Sequence, residues 1–190
     1  MSATEVAEPT ASAPTAAPVA QAEREFAVQE LFFSTTNAKG IIESGNRVFA
    51  RVAAYEEQEL IGRAHSIIRH PDMPRCVFKL LWDTIQARKE IFAYVKNMAK
   101  NGDHYWVLAH VTPSFDANGA ITGFHSNRRS PERSAVAQIE PLYRKLLTEE
   151  ARHENKKDGM IAAHDQLTSF LTQQDLEYDQ FVFSTIEQAA

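Results

Sequence analysis

The 190-residue sequence predicts an α+β fold: a five-stranded antiparallel sheet with short helices on one face, plus a helical C-terminal extension. Runs rich in aromatic and β-branched residues are separated by Asn- and Gly-bearing turns, as in a sheet built from hairpins. Short helical patterns fill the space between the second and third strands. Beyond residue 130 the apolar spacing becomes helical throughout.

Residues 1–22, "MSATEVAEPTASAPTAAPVAQA", are rich in Ala, Pro, Thr and Ser and carry no aromatic residue, so a disordered segment or tether is expected. Residues 23–30 form an N-terminal cap segment. With Phe26, Val28 and Leu31, the stretch reads as a short helix that packs on the domain or on a second copy. The core domain is expected over residues 31–130. "FFSTT" and "IIES" are strands joined by the turn "NAKG". "NRVFARVAAY" is a helix with Asn46 at its N-cap, and "EEQELIG" is a further helical turn. "RAHSIIRHPDMP" is irregular because proline fixes φ and disfavours helix at the residue before it. "RCVFKLLWDTIQARK" is the clearest helix, with Val77, Leu81 and Ile85 on one stripe and Phe78 and Trp82 beside it. "FAYVKNMAK", "HYWVLAHVTPSF" and "AITGFHSNRRS" are three strands of a meander, joined by "NGD" and "DANG". Residues 131–190 are the helical extension. Ser130 is placed to cap its first helix, Pro141 to kink or restart it, and "HENKKDG" to break it.

A net charge of −5 and the lack of a concentrated basic stretch argue against nucleic acid as the main partner. The lone Cys76 allows neither a disulfide nor a cysteine-based zinc site within one chain. No apolar run reaches the roughly 20 residues of a membrane span, and no secretion signal is present, so a cytoplasmic protein is expected. Serine elbows, phosphate loops and framed carboxylate pairs are missing, so an enzyme is not expected.

"RHPDMP" puts Arg69, His70 and Asp72 within four positions on a proline-stiffened backbone. Such a cluster suits a polar ligand, with Arg69 forking onto a phosphate, and it equally suits a loop tied by an Arg–Asp pair. Trp82 and Phe78 fit either the border of a flat ring or a plain core. Asn97, on an inward strand face, needs a partner, which a ligand or a neighbouring backbone group can supply. On the long strand Tyr105, Val107, Ala109 and Val111 share one face, and His104, Trp106, Leu108 and His110 share the other.

The strings "STT", "IRHPDMP", "VKN", "KNGDHYWV" and "IEPLYRKL", spread over residues 33–147, resemble a PAS domain. They resemble most narrowly the FAD-binding PAS domain of bacterial aerotaxis receptors. The resemblance implies the PAS fold, a non-covalently bound FAD and a redox or oxygen-linked energy sensor that signals to a chemoreceptor or other chemotaxis-type protein, with a homodimer also open. It aligns Asn46, Arg69, His70 and Asp72 with residues tied to FAD binding, and Asn97 with an amide facing the flavin ring. Phe92 stands where the family tends to have Trp, "NMAKNG" replaces "NRRKNG", and His125 stands where an apolar residue is common. The family's membrane anchor and signalling modules are absent from this sequence. His65 and His70 lie where some PAS domains ligate haem. The candidate cofactor-binding set is therefore Asn46, His65, Arg69, His70, Asp72, Trp82, Phe92 and Asn97. A cofactor-free PAS interaction module and a haem-based oxygen sensor are the alternatives. No light-driven adduct at Cys76 is expected, because "RCVFKL" replaces the stretch such domains carry.

Overall fold

The structure is a computed structural model, and it describes residues 22–189. The expectation for residues 1–22 lies outside the described residues except at its last position. Five antiparallel strands form one sheet in the order β2-β1-β5-β4-β3. They are β1 (Phe32–Asn37), β2 (Ile42–Gly45), β3 (Ile91–Met98), β4 (His104–Phe115) and β5 (Ile121–Arg129). The β3–β4 hairpin pairs from Ile91 with Val111 through to Met98 with His104, closing at the Asn101-Gly102-Asp103 turn. Central β5 pairs with both β1 and β4.

Between β2 and β3 the chain makes α1 (Arg47–Ala53), α2 (Glu57–Leu60), a 3-10 turn (His65–Ile68) and α3 (Arg75–Gln86). Asn46 caps α1: its side chain accepts from the Phe49 amide at 3.1 Å. The stretch 23–30 is not helical: it holds a bridge at Glu23 and ends in a turn closed by the Glu30 amide on the Ala27 carbonyl. Glu23 bridges to His104, and the Arg24 amide donates to the His104 carbonyl at 2.7 Å. The Arg24 guanidinium donates to the Arg51 and Val52 carbonyls at the C-terminal end of α1, where a helix dipole favours a cation. That side-chain bonding favours the non-helical form.

The extension comprises α4 (Arg133–Ala151), α5 (Lys156–Gln173) and α6 (Tyr178–Ala189). Glu132, not Ser130, stands at the N-cap of α4, and Pro141 sits inside the continuous helix. Helices thus cover both faces of the sheet. Trp106, on the outer face, is buried, with its ring 6.2 Å from that of Tyr143 in α4. The Tyr143 hydroxyl donates to the Tyr94 carbonyl at 2.7 Å. α6 covers β3, where Phe92 lies 5.0 Å from Phe183. The α4–α5 crossing is close: a Cβ on Gly159 would stand 2.5 Å from the Glu150 carbonyl oxygen, so only glycine fits. α5 also packs against α3, and Glu150 accepts from the Cys76 amide in the first turn of α3 at 2.9 Å.

Candidate functional site

A cavity of about 570 Å³ opens between the inner face of the sheet, the 3-10 turn and α3. Small-molecule sites measure roughly 300–1,000 Å³. Its sheet wall follows from strand alternation: Asn97 on β3, Ala109 and Val111 on β4, and Phe124, Ser126 and Arg128 on β5 all face it. His125 and Asn127 point the other way and are exposed. Phe78 and Trp82 on α3 form the opposite wall, with Trp82 edge-on to Phe124 at 5.4 Å. Gly40, at φ +76°, turns the β1–β2 hairpin against Trp82, and a Cβ there would meet the indole at 3.0 Å.

Of the eight residues marked from sequence, His65, Arg69, Trp82 and Asn97 line this cavity. The other four do not, for separate reasons. The Asn46 side chain is committed to backbone: besides capping α1, it donates to the Leu31 carbonyl at 3.0 Å. His70 is buried and accepts the Asp72 amide at Nδ1, with its ring 5.8 Å from that of His104. Asp72 pairs with Lys96 at 2.9 Å rather than with Arg69, so the Arg–Asp tie expected of a self-contained loop is not formed. Phe92 lies on the outer face, stacked on His110 at 4.1 Å beneath α6.

Arg69 lies over the Phe78 ring at 3.9 Å, and its buried Nη2 has no hydrogen-bond partner. The Ser126 Oγ is likewise buried without a partner. The Asn97 amide, in a residue 4% exposed, makes no side-chain hydrogen bond among the described residues. Buried polar groups are normally paired, so unpaired donors facing a cavity mark where a ligand would bind.

Residues 43–128 match the PAS fold family. The chain is 38% identical over 128 residues to the aerotaxis receptor of Escherichia coli (strain K12), a match that takes in 67% of this chain and 25% of the receptor. It is 25% identical over 118 residues to a blue-light-activated histidine kinase of Brucella canis, covering 61% of this chain and 24% of the kinase. The chain thus spans about a quarter of each of these relatives. Among solved structures, a light-oxygen-voltage domain studied with a flavin analogue superposes at a TM-score of 0.52, with 16% identity over 61% of this chain and 89% of that one. The dark-state Aureochrome1 LOV domain gives 0.50, with 20% identity over 62% and 85%.

The chain carries a PAS domain.

The PAS cavity has a marked electrostatic bias. Five basic side chains, Lys39, Arg69, Arg75, Lys79 and Arg128, line it against the single carboxylate of Asp83, in a chain that is net negative. Arg128 is 3% exposed, and burial pushes its guanidinium down to about 10, so it stays charged at neutral pH. It donates to the Ser34 Oγ at 3.1 Å and to His65 Nε2 at 2.6 Å. Burial, and then the charge of Arg128, push His65 down to about 3, which keeps the imidazole neutral and accepting. The Nε2 lone pair that a haem iron would need is therefore already engaged. Cys76 does not line the PAS cavity, and burial pushes its thiol up to about 12.

Sequence reasoning missed Arg128 and Met160. Arg128 sits in a basic stretch, "NRRSPER", that reads as solvated surface; the alternation of β5 was the signal that could have turned it inward. Met160 reaches the cavity from α5, through a packing that no local pattern encodes.

Proposed function

We propose that this PAS domain holds FAD non-covalently in the cavity, senses cellular redox state through it, and signals to a chemotaxis-type protein in the cytoplasm. The observation that carries the reading is the coincidence of unpaired donors and surplus positive charge on the wall of an aromatic-sided cavity. A flat ring fits between Phe78 and Trp82 on one side and the sheet on the other. Asn97 and Ser126 supply hydrogen bonds to ring heteroatoms. Arg69, Arg75 and the exposed Lys39 stand where a pyrophosphate tail would leave the cavity, and Arg69 offers it the free Nη2. The aerotaxis-receptor likeness supports the same chemistry, because the "RHPDMP" and "KNGDHYW" strings belong to that family's FAD-binding domain.

A bound flavin supplies reversible electron uptake. The protein's part is to bind it, shield it and respond to it. Met160 and the α3–α5 packing give the extension a direct contact with the cavity, so a partner docked on the extension has a physical route to distinguish two ligand states.

The test is the visible spectrum of the purified protein with chromatography of the released cofactor. A two-banded yellow spectrum that bleaches with dithionite and yields FAD is expected. Arg69→Ala is expected to lower FAD content while leaving the circular dichroism unchanged. A colourless protein that refuses added FAD overturns the reading.

A further inference from the structure

Arg128 is a buried cation without a counter-ion. Its two protein acceptors, the Ser34 hydroxyl and neutral His65, carry no charge. No carboxylate among the described residues lies within ion-pair distance of it, and nearby Tyr105 is held protonated by burial. Phe32 and Phe49, with centroids 5.3 and 5.5 Å from the guanidinium carbon, give only cation–π support. Three hydrogen bonds are made, so two of the five N–H groups of a guanidinium remain without a protein acceptor. An unpaired buried charge is costly, and a stable fold keeps one where something else neutralises it.

The position of Arg128 narrows what that something is. Lys39 and Arg75 are exposed at the cavity mouth, whereas Arg128 lies at the floor with Ser126 two residues before it on the same strand face. A strongly hydrated phosphate would stay at the mouth. The floor suits a flat heteroaromatic ring whose negative charge is spread over carbonyl oxygen and ring nitrogen.

We propose that Arg128, positioned by Ser34 and His65, is an anion-selecting subsite that binds the carbonyl–imide edge of a heteroaromatic ring and favours its negatively charged form. The inference rests on the flavin reading and adds to it which ring edge is innermost and what charge it bears.

The full chain, freed of ligand, is titrated with riboflavin, which has the ring but no phosphate, and with FAD, for the wild type, Arg128→Met and Arg128→Lys. Arg128→Met should keep or raise the unfolding temperature of the ligand-free protein, because it removes an uncompensated charge. It should weaken riboflavin and FAD alike by about ten- to a hundredfold, the span of a lost charged hydrogen bond. In the wild type the ring imide should ionise at lower pH than in free riboflavin, seen by absorbance, and Arg128→Met should abolish that shift. Arg128→Lys should restore most of the affinity. Loss of FAD binding with riboflavin binding unchanged would assign the anion to phosphate and overturn the proposal. A destabilised ligand-free Arg128→Met, together with a folded Arg128→Lys that does not recover binding, would make Arg128 a structural residue and also overturn it. Riboflavin bound equally by wild type and Arg128→Met overturns the subsite while the flavin reading stands. A wild type that takes up neither ligand removes both.

Discussion

His65 lines the candidate site and also bears on stability. It accepts from Arg128, stacks near Phe49 with centroids 6.1 Å apart, and is held neutral by burial. The unfolded chain binds a proton near pH 6.5, while the folded chain resists it down to about 3. Stability from this group is therefore complete above pH 6.5 and is lost as pH falls from 6.5 toward 3. His70 and His104 are shifted in the same direction by burial and steepen the same limb. Urea midpoints measured between pH 7 and pH 4 are expected to fall, and to fall less steeply in His65→Gln. Equal slopes would show that the imidazole titrates freely. At this scale the sequence was half legible. Asn46 could be read as a helix cap from its neighbours, and the cap uses the side chain that the resemblance alone would give to a ligand. His70 and Asp72 sit in the right string, yet Lys96 and His104 from the sheet decide where they point.

The strands were legible because their signals are local. Asn-Gly between two alternating runs fixes the β3–β4 hairpin, and β4 runs from His104 to Phe115 as its sequence implies. The extension was legible as helix and not as packing, since α4 to α6 are placed by contacts distant in sequence. Two of those contacts are open to test. Glu150→Gln weakens the carboxylate acceptor at the first turn of α3, where the helix dipole favours negative charge. A loss of about 0.3–1 kcal/mol is expected in urea unfolding. Gly159→Ala places a methyl group against the Glu150 carbonyl and should cost about 1–3 kcal/mol by overpacking. A neutral effect there would mean that α4 and α5 are not in close contact.

Across the whole molecule, the helices of the extension differ in what they pack against. α6 covers the outer face of β3 and contributes the fully buried Val182, but none of its described side chains lines the cavity. α5 reaches the cavity through Met160. Val182→Asn, which buries an amide where a valine packed, should cost about 1–3 kcal/mol while leaving the absorbance spectrum of a bound flavin unchanged. The α+β class was legible from element order alone. The cover on both faces was not, because the strand pattern marks Trp106 only as facing away from the ligand side. It does not show that Tyr143, 37 residues later, lies against it.

Met160 also bears on time, not on affinity alone. Part of the cavity wall belongs to α5, a helix that pairs with no strand of the sheet, so a displacement of α5 would break no strand pairing. Were a ligand held behind that wall, the packing of α5 would bear on how fast it leaves as well as on how tightly it binds. Gly159→Ala, one residue from Met160, is the natural probe. It should shorten the dwell of bound flavin in a chase experiment by more than it weakens equilibrium binding.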